Sequence, residues 1–187
     1  YQNHSFLANA CFDMDGVLVN FGAMCPNDRY LNHPSETLSD EKRAAKKLFW
    51  QNIEKQPNFW RDIPVMANIE YLLTTAADIG EIFVLSKVPG AEKFIGGQNY
   101  VDFVAGEKRK WIAKHMNKFF DAKHIIICDG PKGKLIRPNK TDVLIDDRQE
   151  NINEWESVGG QGILFNDAFS AKKQLIYIKI QKNILEY

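Results

Sequence analysis

Short apolar runs, broken by Gly-rich and polar sequence, constrain the fold of this chain more than any other feature. They are Leu7 to Met14, Glu81 to Ser86, His124 to Cys128, Val143 to Ile145 and Gly162 to Phe165. None alternates apolar with polar residues, as a strand with one wet face would. Helical patterns separate the later ones. Pro64 opens one that runs through Ile69, Leu72, Leu73 and Ala76. Lys108 to Phe119 carries Trp111, Ile112, His115 and Phe119 near one face, and Asn151 to Val158 is a third helix, closed by Gly159-Gly160. Continuously apolar strands alternating with helices predict an α/β fold whose parallel sheet is covered on both faces. In such sheets chemistry collects beyond the carboxyl ends of the strands.

The stretch between the first run and Pro64 breaks that rhythm. It contains a helical pattern from Ser39, the expected N-cap, to Lys55, with Leu48, Phe49, Asn52 and Ile53 as its apolar face and Pro57 ending it. This predicts a small helical cap over residues 20–64, inserted after the first strand, with residues 1–19 and 65–187 forming the core. Ala168 to Tyr187 suits a terminal helix or a strand.

Composition narrows the class. The 187 residues include 24 Lys+Arg and 24 Asp+Glu, and 44% are hydrophobic. This is a globular composition, with a core large enough to need no staples. A balanced charge argues against a broadly basic nucleic-acid or membrane binder. Cys11, Cys25 and Cys128 form no metal-binding or disulfide pattern, so buried thiols in a reducing compartment are expected. No apolar run reaches the ~20 residues of a membrane span. Tyr1 to Asn9 lacks a basic, signal-like start, so a cytoplasmic location is the expectation.

Two acidic pairs follow predicted strands: Asp13 and Asp15 in Phe12-Asp13-Met14-Asp15-Gly16-Val17, and Asp146-Asp147 after Val143-Leu144-Ile145. Residues two apart in an extended segment project to one side. Taken singly, the first pair reads equally well as a turn cap and the second as a helix N-cap. Together they place four carboxylates at strand ends, where they repel unless a cation is present. All-oxygen ligation with few protein ligands suits Mg²⁺. Ser86, ending a strand, can donate to a phosphate oxygen. Lys134, 12 residues before Asp146, can neutralise one, and Lys132 and Lys140 compete for that role.

The ordered set of Asp13-Met14-Asp15-Gly16-Val17, Val84-Leu85-Ser86, Lys134 and Leu144-Ile145-Asp146-Asp147 resembles the haloacid dehalogenase superfamily of phosphotransferases over about residues 8–166. Within it, the chain is most similar to the 5′(3′)-deoxyribonucleotidases and their bacterial and phage relatives. The Phe59-Trp60-Arg61-Asp62-Ile63-Pro64 stretch, Lys110-Trp111, and Asn151 and Trp155 after the second pair carry that likeness. The resemblance implies a Rossmann-like core and a Mg²⁺-dependent phosphomonoesterase acting on nucleoside monophosphates. It implies Asp13 as nucleophile, Asp15 as acid and base, and Ser86 and Lys134 as phosphate ligands. Lys87 adds a second cation beside the phosphate. Mg²⁺ would be held by Asp13, by Asp15 through its carbonyl oxygen, and by Asp146 and Asp147.

Phe59 and Trp60, with Phe21, either stack on a nucleobase or pack the cap onto the core; the sequence leaves both open. Arg29, His33 and Arg61 could meet sugar or phosphate. Rival functions are a phosphatase for another small metabolite or for nucleic-acid 3′ ends, and a non-catalytic binding module. A balanced charge disfavours the 3′-end enzyme, and the intact carboxylates and Lys134 disfavour the binding module. Oligomeric state leaves no mark in the sequence.

Overall fold

The computed structural model describes residues 9–25, 39–128 and 138–185. Its strands are β1 (Ala10–Phe12), β2 (Ile82–Lys87), β3 (Ile125–Cys128), β4 (Val143–Asp146) and β5 (Gln161–Leu164). They form one parallel sheet in the order β3-β2-β1-β4-β5. The helices are α1 (Phe21–Met24), α2 (Asp40–Glu54), α3 (Phe59–Asp62), α4 (Ile69–Ala77), α5 (Gly97–His115), α6 (Gln149–Ser157) and α7 (Ala168–Leu185). The Rossmann-like α/β fold is the one the sequence predicts.

Although the strands are apolar throughout, they still alternate between two interiors. Phe12, Val84 and Ile145 enter the larger core, with Leu72 and Leu73 of α4, Trp111 and Ile112 of α5, and Leu175 of α7. Their neighbours Cys11, Leu85 and Leu144 face the opposite way, onto Ile152 and Trp155 of α6. Each fully buried large side chain stabilises the fold by about 1.5–3 kcal/mol. Both faces must therefore be apolar, which is why no strand alternates in sequence.

Several local expectations need correction. Pro64 does not open a helix: α4 begins at Ile69, behind Asn68 in the left-handed region at φ 59°. The Lys108 helix starts at Gly97, within the Gly-rich stretch that reads as loop. Packing of Val101 and Val104 into the core overrides the poor helix propensity of those glycines. On α2 the buried positions are Lys46, Trp50 and Ile53, while Leu48 is exposed. The C-terminal segment is helical. Ser39 caps α2 as expected, its Oγ accepting from Lys42 N–H at 3.4 Å. The three cysteines are thiols, with Cys11 and Cys25 buried.

After β1 the chain turns tightly. The Leu18 and Val19 N–H groups donate to Met14 O, and Gly16 N–H donates to Val19 O. It leaves the sheet at Asn20 and returns at Pro64, where the Asn20 N–H donates to Pro64 O at 2.8 Å and the Met66 N–H to Leu18 O at 2.9 Å. Outgoing and returning segments are thus tied at their base. Among the described residues, no helix is long and apolar enough to cross a membrane.

Candidate active site

In this strand order the connections reverse direction between β1 and β4, and a crevice opens at their carboxyl ends. Asp13 follows β1 directly, its N–H donating to Ile145 O at 2.9 Å. Asp146 ends β4 and Asp147 follows it. One carboxylate oxygen from each of Asp13, Asp146 and Asp147 lies within 4.8 Å of the other two. Octahedral Mg²⁺ with ligands at about 2.0–2.1 Å would space oxygens by about 3–4 Å, so small side-chain adjustments fit this set to such an ion. The Asp15 carboxylate stands outside the group.

Gly16 makes this closeness possible. It adopts φ 81°, and a Cβ there would collide with the Asp147 carboxylate. Only glycine satisfies both conditions.

Asp146 is wholly buried and held in place. Asn151, on the first turn of α6, donates from Nδ2 to Asp146 Oδ1 and Oδ2 at 3.0 and 2.9 Å. The Arg148 N–H donates to the same Oδ1 at 2.9 Å. Lys87 Nζ donates to Asn151 Oδ1 at 3.2 Å and lies 3.7 Å from Glu154. Lys87 therefore reaches the site's edge, leaning on α6.

The residue that the sequence reading missed is Lys108. Its side chain is fully buried, and its Nζ donates to Asp15 Oδ2 at 2.5 Å, Ser86 Oγ at 3.0 Å and Lys87 O at 2.9 Å. All three ammonium protons are engaged, and the Trp60 ring lies 5.3 Å away. Lys134 and Lys132 lie outside the described residues, as do Arg29 and His33. Lys140 is exposed, and its carbonyl accepts from Gln161 Nε2 at 2.7 Å.

Asp13, Asp15, Asp147, Lys87, Arg148 and Phe21 line a cavity of about 450 Å³, whereas Lys108, Ser86 and Asp146 are fully buried and take no part in that lining. Phe59 and Trp60 take no part in that lining. They are 2% and 1% exposed, with Trp50 stacked on Trp60 at 6.4 Å and Phe59 set edge-on to it. Both rings are packed into the larger hydrophobic core, and neither has a face open to a base. Trp60 Nε1 donates to Tyr100 Oη, whose phenol is pushed up by burial and so stays neutral. Arg61 is exposed and paired with Asp62.

Comparison with known proteins agrees with this geometry. A family model described as 5′ nucleotidase, deoxy (pyrimidine), cytosolic type C protein matches residues 9–176. No curated protein matches significantly. Among solved structures, a haloacid dehalogenase-like family hydrolase from Xanthomonas campestris superposes with a TM-score of 0.60 at 10% identity, covering 96% of this chain and 94% of that one. A haloacid dehalogenase-like hydrolase from Streptococcus pneumoniae gives 0.49 at 14% identity, with 83% of each chain covered. The first likeness supports the fold alone. The family match spans most of the chain, and with the acidic crevice and its buried lysine in view, this protein is a phosphatase-type enzyme that belongs to the deoxy (pyrimidine) 5′ nucleotidase family.

Proposed function

We propose that the chain is a Mg²⁺-dependent phosphomonoester hydrolase that dephosphorylates deoxyribonucleoside monophosphates through an aspartyl-phosphate on Asp13. The carrying observation is the juxtaposition of the Asp13, Asp146 and Asp147 carboxylates with the Lys108–Asp15–Ser86 cluster at one sheet edge. Asp13, Asp146 and Asp147, with the Asp15 carbonyl oxygen, would hold Mg²⁺, which supplies positive charge beside the phosphoryl oxygens.

In the first step an Asp13 carboxylate oxygen bonds to phosphorus and the bond from phosphorus to the leaving oxygen breaks. Asp15 gives that oxygen its proton. In the second step Asp15 takes a proton from water. The water oxygen bonds to phosphorus, the Asp13–phosphorus bond breaks, and phosphate leaves.

The role that the sequence assigns to Lys134 is here proposed for Lys108. Its ammonium neutralises ionised Asp15 before substrate arrives. A phosphate placed beside Ser86 attracts the same ammonium. Drawing Lys108 away removes what keeps Asp15 ionised, and so favours the protonated form that the first step needs. Phe21 is the aromatic residue of the expected set that lines the cavity. The test is phosphate release from a panel of nucleotides and sugar phosphates with Mg²⁺. Release from deoxyribonucleotides, abolished in Asp13→Asn, is expected; release confined to sugar phosphates would overturn the nucleotidase assignment.

A further inference from the structure

Strand β2 ends on two polar residues whose side chains leave by opposite faces. Val84 and Ser86 share one face: Val84 enters the larger core, and Ser86 meets Lys108 of α5. Leu85 faces the other way, onto Ile152 and Trp155 of α6, and Lys87 follows it on that face. The strand's alternation therefore sends the Lys87 ammonium to α6 and away from Ser86. It stops 3.2 Å from Asn151 Oδ1 and 3.7 Å from Glu154 Oε2, one helical turn further on. Its backbone serves the other cluster, since Lys87 O accepts from Lys108 Nζ at 2.9 Å.

An ammonium can only donate, so Lys87 faces the amide oxygen of Asn151. The amide nitrogen is then the end turned to Asp146, where it donates to both carboxylate oxygens at 3.0 and 2.9 Å. Asn151 is 7% exposed and Asp146 is wholly buried, so a bond lost by rotation of the amide is not replaced by one to water. The last torsion of Asn is broad, and an amide held at one end alone can turn about it. Held at both ends, the Asn151 amide fixes the carboxylate plane of Asp146. That plane sets how Asp146 directs an oxygen towards those of Asp13 and Asp147.

We propose that Lys87 is a positioning residue of the metal centre, acting through Asn151 on Asp146 without touching the ion or the phosphoryl group. The proposal rests on the Mg²⁺ reading of the three carboxylates. The sign of the effect separates it from simple charge. A cation near the ion repels it, so by Coulomb's law alone removing the ammonium would tighten Mg²⁺ binding. Positioning predicts the opposite.

The experiment is calorimetric titration of the substrate-free chain with Mg²⁺. Loss of a group that orients a metal ligand typically costs about 10–100-fold in affinity, and Lys87 stands one link further out, so Lys87→Met should weaken Mg²⁺ binding about 3–10-fold. Lys87→Ala should do the same, and carries the test alone if Lys87→Met does not fold. In an Asn151→Ala background, Lys87→Met should add less than about twofold, because the link it acts through is gone. The rise in Tm on adding Mg²⁺ should shrink in the same order. Unchanged or tighter Mg²⁺ binding in the Lys87 variants, or a loss that multiplies in full with that of Asn151→Ala, would overturn the positioning role and leave the metal reading intact. Weakened binding of inorganic phosphate at unchanged Mg²⁺ affinity would also overturn it, and would make Lys87 a phosphate ligand. Absence of Mg²⁺ binding by the wild-type chain would overturn both the metal reading and the proposal.

Discussion

Replacing Lys108 by Met keeps the side chain's approximate volume and removes its charge. Asp15 Oδ2, Ser86 Oγ and the Lys87 carbonyl then lose their shared donor. Breaking a buried ion pair from one side typically costs about 3–5 kcal/mol. Asp15 keeps 26% of its side-chain surface in water, which places the expected cost near the lower end, about 3 kcal/mol. For a chain of this size that lowers Tm by about 6–12 °C. Loss of a preorganised charge on the transferring phosphoryl group should lower kcat by about 10²–10³-fold, equivalent to ~2.7–4 kcal/mol. Phosphate release measured well below the Tm of the variant separates the two effects. Lys134→Met is the paired control, because the sequence assigns the phosphate role to that residue. If Lys108→Met keeps more than a tenth of wild-type kcat while Lys134→Met loses a hundredfold, the reasoning from the buried ammonium is refuted.

Asn151→Ala removes the amide that donates to both oxygens of buried Asp146, and the Mg²⁺ concentration for half-maximal activity should rise about 10–100-fold, read from activity against Mg²⁺. Trp111→Phe removes the indole donor to buried Ile63 O at 2.8 Å, and should cost about 1–3 kcal/mol by denaturant unfolding without changing KM. Gly16→Ala meets both the positive φ and the Asp147 carboxylate, and should lose activity well beyond its loss of stability. Burial, then the charge of Lys114, lowers the His115 pKa below 6.5. Below that value the unfolded chain binds the proton more readily, so His115 lowers stability as pH falls from about 7 to 5.5. Tm against pH in His115→Gln should be flatter over that window.

The sheet and its acidic edge were legible because both depend on local sequence. Apolar runs declare doubly buried strands, and a carboxylate immediately after such a run falls at the strand's carboxyl end. Lys108 was missed because the glycines at 96, 97 and 106 obscured the first half of α5. Seen over its full length, the helix carries Val101, Val104, Lys108, Trp111 and Ile112 on one buried stripe. A lysine inside an apolar stripe is the signal that could have found it. The same signal marks Lys46 between the polar faces of α2, beside Trp50 and Ile53. The roles of Phe59 and Trp60 depend on which neighbours cover their rings. That is a tertiary fact, and two aromatics beside a helix break do not encode it.

The most direct test of the central claim is acid-quench trapping during turnover of a ³²P-labelled deoxyribonucleoside 5′-monophosphate with Mg²⁺. Phosphorylated protein, released by hydroxylamine, mapped to the peptide containing Asp13 and lost in Asp13→Asn, is the predicted result. Phosphate release without protein-bound label, or label on any other residue, would contradict the account.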